Sequence, residues 1–544
     1  MTPGDELLFC ALGGSGEIGM NVNLYGCQGK WLMVDLGMTF GANEYPGIEL
    51  VFADLDFIEQ NRKDLLGVVL THAHEDHIGA VPYFAEELGV PLYATTFTAK
   101  LVANKLQEAG NAASIELNVI DHLDRFEIGP FGIRYVPLAH SIAEGNALLI
   151  DTPYGKIFHT GDWKLDDRPL VGTPATAQEL TAIGDAGVLA LVCDSTNVFN
   201  PEPSGSEGDV LDGLLAEVAK HTGKRVVVTT FASNVARLQT LGEVARATKR
   251  QLCVAGRSLD RIIRTGQACG YLQNLPPIVD FDTAMGLPRG DVLILATGGQ
   301  GEPRAALSRI AEDSHPIALE SGDVVLFSSR QIPGNEIAIG RIQNRLAARN
   351  IAIVTDRQSH IHVSGHPGRP ELEALYGWIR PEILVPVHGE VRHMAEQARL
   401  GRKCGIAKAV VQQNGDLVRL APGKPGKISE VRAGRLVLDG DIITPANGEA
   451  QVMRRRLAQS GLVVVVLDGK GRAHVEAIGL PLDEDMDDFV REAAEDVAAA
   501  LARLKGGQRH DREAVSEAAR LAARRAAQRW SGKKPQVRVI MPEY

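Results

Sequence analysis

The amino-acid sequence predicts an α/β protein in which one sandwich is interrupted by a second α/β domain and followed by a small C-terminal α/β unit. Three observations predict it. Up to residue 207, short apolar strands are separated by turns and a few helices. From 208 to 355, strands and helices alternate regularly. Beyond 356 the strand-rich pattern returns, and a distinct unit occupies 451–544. Intermixed strands and helices read as a layered α/β fold, and regular βα alternation reads as a parallel sheet covered by helices. The simplest topology is a host domain (1–207 and 356–450, the latter including a linker) carrying 208–355 as an insertion.

The elements follow in order. Leu7–Leu12 reads as a strand entering the turn Gly13-Gly14-Ser15-Gly16. Strands are predicted over Asn21–Tyr25, Trp31–Leu36, Gly67–Leu70, Ile133–Val136, Ala147–Ile150, Lys156–His159 and Val188–Cys193, with helices over Ile78–Leu88 and Thr98–Glu108. In the insertion, helices at Val210–His221, Asn234–Lys249, Ser258–Gly270 and Glu336–Arg349 alternate with strands at Arg225–Thr230, Gln251–Ala255, Asp291–Ala296, Asp323–Ser328 and Ala352–Thr355. Strands return at Ile383–His388 and Ala409–Gln412, and Ala421–Lys427 is a Gly/Pro-rich turn or linker. The last unit pairs Leu462–Leu467 with Ala473–Ile478 across Asp468-Gly469-Lys470-Gly471. Two helices follow, from Asp483 to about Leu504 and from Asp511 to Trp530, and then a strand at Gln536–Met541.

Composition narrows the class. The 544 residues carry 57 Lys+Arg against 68 Asp+Glu, a net charge of −11, with 44% hydrophobic and 23% charged residues. These values are ordinary for a globular protein. No apolar run approaches the ~20 residues of a membrane span, and the N-terminus lacks a signal-peptide pattern, so a cytoplasmic protein with no membrane association is expected. The six cysteines form no Cys-X-X-Cys pair, which argues against a disulfide scaffold and a thiolate zinc site. Taken alone, the acidic balance also counts against a nucleic-acid partner.

The run Thr71-His72-Ala73-His74-Glu75-Asp76-His77 follows the apolar strand end Val68-Val69-Leu70. Three imidazoles and a carboxylate in so short a loop are costly to bury as packing groups, yet they can converge on a metal ion. Further polar residues stand where other apolar strands stop: His140, Asp162 and His388. Strand ends are where α/β folds place chemistry. Asp35, at another strand end, reads as a support for the metal-site loops through hydrogen bonds. His159 and His360 read as core or supporting residues. The glycine-rich turn lacks the Lys-Ser/Thr ending of a phosphate-binding P-loop, so it reads as a tight turn near the metals.

The His-X-His-X-Asp-His motif with a later His and Asp resembles the metallo-β-lactamase superfamily. Cys193-Asp194-Ser195-Thr196-Asn197, His362-Val363-Ser364-Gly365-His366 and Val385-Pro386-Val387-His388-Gly389-Glu390 resemble its nucleic-acid-processing β-CASP branch. With Thr230-Phe231-Ala232-Ser233-Asn234 and Ile332-Pro333-Gly334-Asn335-Glu336, the pattern is similar to the bacterial ribonuclease J family over about residues 7–450.

That resemblance implies a metallo-β-lactamase αββα sandwich interrupted by a β-CASP domain, with two Zn2+ ions per subunit, or Mn2+ or Mg2+ as activating ions. His72, His74 and His140 would hold one ion, and Asp76, His77 and His388 the other, with Asp162 bridging. It also implies His366 as general acid oriented by Asp194, and a pocket for a 5′-monophosphate. The candidates for that pocket are His362, Ser364, Gly365, Ser328, Ser329, Ser233 and Asn234, the last two reading alternatively as simple helix N-caps. Arg237 reads either as a contact to the RNA backbone or as a surface arginine. The activity implied is hydrolysis of single-stranded RNA by 5′→3′ exonuclease and endonuclease action, in RNA maturation and decay. A homodimer or homotetramer through the C-terminal region and partners in an RNA-decay complex are implied too. The alternatives are a DNA nuclease of the same branch, a small-molecule metallohydrolase, or an inactive scaffold. The Arg-rich helix with Arg512, Arg520, Arg524, Arg525 and Arg529 is either a solvated face or a contact for RNA or a partner.

Overall fold

A computed structural model describes residues 4–41, 45–122, 124–331, 334–468 and 472–541. The expected motif residues Ile332 and Pro333, and Gly469 to Gly471 of the predicted turn, lie outside them. The chain forms two compact units, Met1–Thr39 with Phe52–Gly434, and Phe40–Val51 with Arg435–Tyr544. The assignment of Phe40–Val51 to the C-terminal unit was not foreseen.

In the first unit two sheets face each other. One has eight strands and includes Leu7–Gly13, Val22–Cys27, Lys30–Val34 and Leu65–Val69. The other has seven and includes Phe131–Pro137, Asn146–Thr152, Gly155–His159, Ala190–Asp194 and Ile383–Val387. Their inner faces share one core, in which Phe9, Tyr25, Leu32 and Val69 meet Ile133, Leu148, Ile157, Val192 and Val385. Behind the second sheet, Leu149, Phe158 and Leu191 pack on Leu180, Leu372, Leu375 and Ile379 from the helices Ala177–Asp185 and Arg369–Ile379. The predicted sandwich of sheets with helices outside is therefore present. Strands such as Leu7–Gly13 are buried along their whole length, which explains why they read as continuous apolar runs.

The strand pairing of the second sheet sets up the site. Gly155–His159, Ala190–Asp194 and Ile383–Val387 run parallel. Phe131–Pro137 and Gly155–His159 are each antiparallel to the strand between them, so they share one direction. The C-terminal ends of all four strands therefore reach one edge, carrying His140, Asp162, Asp194 and His388. Asp194 is in register with Val387, which brings the Asp194 carboxylate to the strand end that carries His388. The insertion itself is a six-stranded, all-parallel sheet, in the order Ile278–Val279, Gln251–Ala255, Val292–Ala296, Val226–Thr229, Val324–Phe327, Ala352–Val354.

Three expectations need correction. The region beyond 356 is less strand-rich than its apolar runs suggest, because Arg369–Ile379 and Val391–Lys403 are helices. The strand expected over Ala409–Gln412 is reduced to Lys408–Ala409. Of the two readings of Ala421–Lys427, turn or linker, the turn is present, closing a hairpin between Asp416–Ala421 and Gly426–Glu430. Arg237, expected at the RNA backbone or on the surface, is fully buried. It pairs with Glu207 at 3.1 Å and donates to the Ser328 carbonyl at 2.8 Å. Such a charge is tolerated inside only because its partner and backbone acceptors satisfy it.

In the second unit, Leu462–Leu467 lies between antiparallel Ala473–Ile478 and parallel Gln536–Ile540. Helices Met486–Ala502 and Arg512–Ser531 pack there through Phe489, Ala493, Val497 and an alanine stripe from Ala519 to Ala527. Of the arginines, Arg529 pairs with Glu492 and Asp496, Arg520 pairs with Glu517, and Arg512 donates to the Met541 carbonyl. Three of the five are thus occupied within the unit. Among the described residues, no helix is long and apolar enough to cross a membrane.

Candidate metal centre

The His-rich loop is organised by Asp35. This residue takes a left-handed backbone conformation (φ 65°) at the end of its strand. Its carboxylate accepts from the Thr71 amide at 2.7 Å, the Thr71 hydroxyl at 2.9 Å and His77 Nδ1 at 2.7 Å. It therefore ties both ends of the loop, the supporting role expected from the sequence. Close backbone approach helps: a Cβ on Gly37 would stand 1.8 Å from the Asp76 carbonyl. The glycine-rich turn also lies at the site, where the Gly14 carbonyl accepts from the His388 amide at 2.7 Å.

Two donor groups result. In the first, His72 Nε2 and His140 Nε2 lie 3.1 and 3.0 Å from His74 Nδ1. The outer nitrogens fix the tautomers. His140 Nδ1 faces the Gly365 carbonyl at 2.6 Å and must donate to it. The Thr71 hydroxyl spends its proton on Asp35, so His72 Nδ1, 3.0 Å away, donates to Thr71. His74 Nε2 has the Ser233 hydroxyl at 3.1 Å as a partner. The inner nitrogens therefore present lone pairs to one another. Burial, reinforced by neighbouring imidazoles, keeps His72 and His140 well below the usual histidine range, and burial lowers His74 to about 4. Neutral imidazoles with their outer nitrogens anchored are the donors a metal ion requires.

The second group is Asp76, His77, Asp162 and His388, whose candidate donor atoms lie within 4.8 Å of one another. His77 Nε2 is 3.3 Å from Asp162 Oδ2, and His388 Nε2 is 3.1 Å from Asp76 Oδ2. Asp162 also reaches within 3.9 Å of His140 Nε2, so it stands between the two groups. Burial opposes charge here, yet the carboxylates, Asp162 foremost, hold His77 and His388 above the ordinary histidine range. Those imidazoles in turn hold Asp76 and Asp162 below the carboxylate range against the same burial. The pocket attracts positive charge, as protons or as cations. Among the described residues, these clusters suit metal binding.

Asp194 and His366 lie beside the second group. Asp194 Oδ2 is 2.7 Å from His366 Nδ1 and its other oxygen is 3.6 Å from His388 Nδ1. Asp194 is fully buried, whereas the His366 ring is 24% exposed and can meet a ligand. Burial works against the His366 proton, but Asp194 outweighs it and raises the histidine above its usual value. Asp194 is correspondingly low, since His366 overcomes its desolvation.

The expected phosphate-pocket residues divide. His362 lies within the influence of three cations. Burial together with Arg237, Arg330 and Lys164 holds His362 well below the usual histidine range, and its buried Nδ1 has no hydrogen-bond partner among the described residues. The Ser364 hydroxyl accepts from the His366 amide at 3.1 Å and from Asn197 Nδ2 at 3.3 Å. Gly365 acts through its carbonyl, by orienting His140. Ser233 is set against His74. Asn234 is a helix N-cap that accepts from the Arg237 amide at 2.9 Å, while its amide nitrogen faces Glu207 at 3.3 Å. Ser328 is fully buried and donates to the Ile361 carbonyl at 2.6 Å, so its hydroxyl is committed to joining two segments. Ser329 is buried against Gly299.

Sequence reasoning passed over three supporting residues. Thr196 donates to the His388 carbonyl at 2.9 Å and accepts from His388 Nδ1 at 2.6 Å. Asn21 Nδ2 approaches His77 Nε2 at 3.1 Å, and Asn197 braces Ser364. Thr196 and Asn197 sit in the quoted Asp194–Asn197 motif, so position was the available signal.

Comparison with known proteins agrees with this architecture. The metallo-β-lactamase superfamily model matches residues 19–184, and the ribonuclease J β-CASP domain matches 223–346. A Zn-dependent metallo-hydrolase RNA specificity domain matches 350–411, and the ribonuclease J C-terminal domain matches 452–544. Ribonuclease J of Sinorhizobium meliloti is 40% identical over 99% of this chain and 98% of its own length. The chain belongs to the ribonuclease J family. Two further ribonuclease J proteins, from Mycolicibacterium smegmatis (36% identical, 92% of this chain and 91% of that one) and Thermus thermophilus (34%, 85% and 82%), extend the match. A crystal structure of a protein of unknown function from Enterococcus faecalis V583 shares the fold, with TM-score 0.55 and 17% identity over 76% of this chain and 100% of that one. The ribonuclease J C-terminal match covers the three-stranded unit, for which the sequence alone carried only weak motif resemblance.

Within this ribonuclease J site, Asp35 touches no inward-facing donor atom yet orients both His72, through Thr71, and His77. Asp35→Ala is expected to weaken divalent-cation affinity roughly 10- to 100-fold. Chelator-competition titration measures this, and near-unchanged circular dichroism would show that the sandwich survives.

Proposed function

We propose that this chain is a metal-dependent ribonuclease that removes nucleotides 5′→3′ from 5′-monophosphorylated single-stranded RNA and also cleaves internally, in RNA maturation and decay. The observation that carries the reading is the meeting of two cation-seeking donor groups with the Asp194–His366 pair at one sheet edge. His72, His74 and His140 would hold one divalent ion, and Asp76, His77 and His388 a second, with Asp162 between them. The imidazole-rich donor set favours Zn2+, with Mn2+ or Mg2+ as activating ions. Bound there, such ions supply Lewis-acid neutralisation of phosphoryl charge and lower the pKa of nearby water.

The protein's own groups complete the chemistry. His366, kept protonated by Asp194, can pass its Nε2 proton to the departing 3′-oxygen as the phosphodiester breaks. The buried Asp194 carboxylate holds the ring's orientation through Nδ1. His362, neutral among Arg237, Arg330 and Lys164, gains a favourable partner when a terminal phosphate enters, and Ser364 offers a hydroxyl beside it. A 5′-phosphate held there sets the distance to the first scissile bond. The names of the relatives and the RNA-specificity match favour RNA over DNA. A cytoplasmic homodimer or homotetramer, assembled through the C-terminal unit and open to RNA-decay partners, belongs to the same proposal.

Cleavage of matched RNAs carrying 5′-monophosphate or 5′-triphosphate, with single-stranded DNA alongside, tests the reading. Mononucleotide release from monophosphorylated RNA, reduced far more by Ser364→Ala than internal cleavage is, is expected. Equal turnover of DNA would contradict it. The pH profile tests the proton donor separately. A group that must be protonated, with its pKa raised, loses activity as pH rises through that raised value. Asp194→Asn removes the raising charge, so the alkaline limb of kcat should move to lower pH and the maximum should fall by about 10²–10⁴-fold. An unmoved limb would remove His366 from this role.

A further inference from the structure

A groove of about 550 Å³ runs along the seam between the host domain and the insertion, away from the donor groups. Its walls are the helix Thr96–Ala109 of the host and the helix Arg257–Ala268 of the insertion. These helices lie antiparallel, since Asn104 Nδ2 meets Thr265 Oγ1 at 3.3 Å while Glu108 meets Arg261 at 3.1 Å. The seam closes beside the His140 loop, where Glu144 accepts from the Phe97 amide at 2.8 Å and the Tyr271 hydroxyl at 3.1 Å. Lys105, on the same host helix, pairs with Glu75 of the His-rich loop at 2.7 Å. One end of the groove is therefore anchored to the catalytic loops, and the other extends beyond them.

Its charge is opposite to that of the whole chain. Lys100, Arg257, Arg261 and Arg264 line it against Glu108 and Asp260, in a protein of net charge −11. Arg257, Arg261 and Arg264 repeat at helical spacing on one face and span about 10 Å along the axis. Arg261 is paired with Glu108. Lys100, Arg257 and Arg264 are exposed and have no carboxylate partner among the described residues. Arg168, Arg345 and Arg529, by contrast, are each paired with carboxylates of this chain. Two unpaired guanidinium groups and an ammonium along one groove suit a polyanion, because each guanidinium can fork onto phosphate oxygens.

We propose that this groove is an exosite for the phosphodiester backbone of single-stranded RNA, holding the body of the substrate outside the catalytic cleft. The inference rests on the ribonuclease reading above. It implies binding without base specificity, through electrostatic contact with successive phosphates, so that long RNA gains affinity that a short oligonucleotide cannot.

Steady-state cleavage by the full chain tests it, comparing Lys100→Ala/Arg257→Ala/Arg264→Ala with the unaltered protein. The substrates are 5′-monophosphorylated RNAs of about 30 and about four nucleotides. The expected result is a KM for the long RNA raised about 10-fold, with log KM against log salt shallower by about 2. The kcat, and the KM for the short RNA, should be unchanged. Arg257→Lys/Arg264→Lys should retain both the affinity and the salt slope, which separates charge from folding. An unchanged KM and slope for the long RNA would overturn the exosite, as would an equal loss on both lengths. If the unaltered protein cleaves neither RNA, the ribonuclease reading itself falls; if it cleaves and the triple variant matches it, only the exosite falls.

Discussion

The structure depends on a desolvation constraint. Imidazoles and carboxylates from separate strand ends are driven into one largely buried edge, where neither charge nor unpaired polarity is tolerated cheaply. The arrangement is tenable because every outer atom is satisfied by the protein. Asp35 holds Thr71 and His77, Thr71 holds His72, Gly365 holds His140, and Thr196 holds His388. What remains is a set of inward-facing donors whose common need is positive charge. The chemistry of the site follows from that unmet need more than from any single residue.

The fold serves this convergence. Parallel strands in the second sheet deliver Asp162, Asp194 and His388 to one edge, and the register between Asp194 and Val387 sets the Asp194 carboxylate beside His388. The insertion forms its own six-stranded sheet and leaves the sandwich core unbroken. The insertion then contributes Ser233 against His74 and, through the Arg237–Glu207 pair and Ser328, supports the segment carrying His362. Joining two domains at the site also creates the seam in which local positive charge gathers. Net charge was the wrong scale for judging an anionic partner, because what matters is the sign of the potential where the ligand lies.

Much of this was legible in the sequence. Apolar runs ending in His or Asp marked the strand ends, and the His72–His77 loop identified itself, because no packing role explains so many imidazoles together. Asp35 was legible as a support for the same reason. The sequence was less informative where polar side chains are absorbed by their neighbours. Arg237 and Ser328 look like substrate contacts in one dimension, but Glu207 and the Ile361 carbonyl claim them in three. The helices Arg369–Ile379 and Val391–Lys403 were missed beside strong strand signals, and nothing local announces that Phe40–Val51 joins the C-terminal unit. Long-range partnership decides such cases, and a linear pattern does not carry it.

The central claim is that the two donor groups hold two divalent ions. Anomalous diffraction at the zinc absorption edge, from crystals of protein purified without chelator, tests it most directly. The account predicts two peaks, one enclosed by His72, His74 and His140 and the other by Asp76, His77 and His388, both in contact with Asp162. Absence of anomalous density at these residues in metal-replete protein, or a metal ion bound elsewhere while they stay empty, would contradict it.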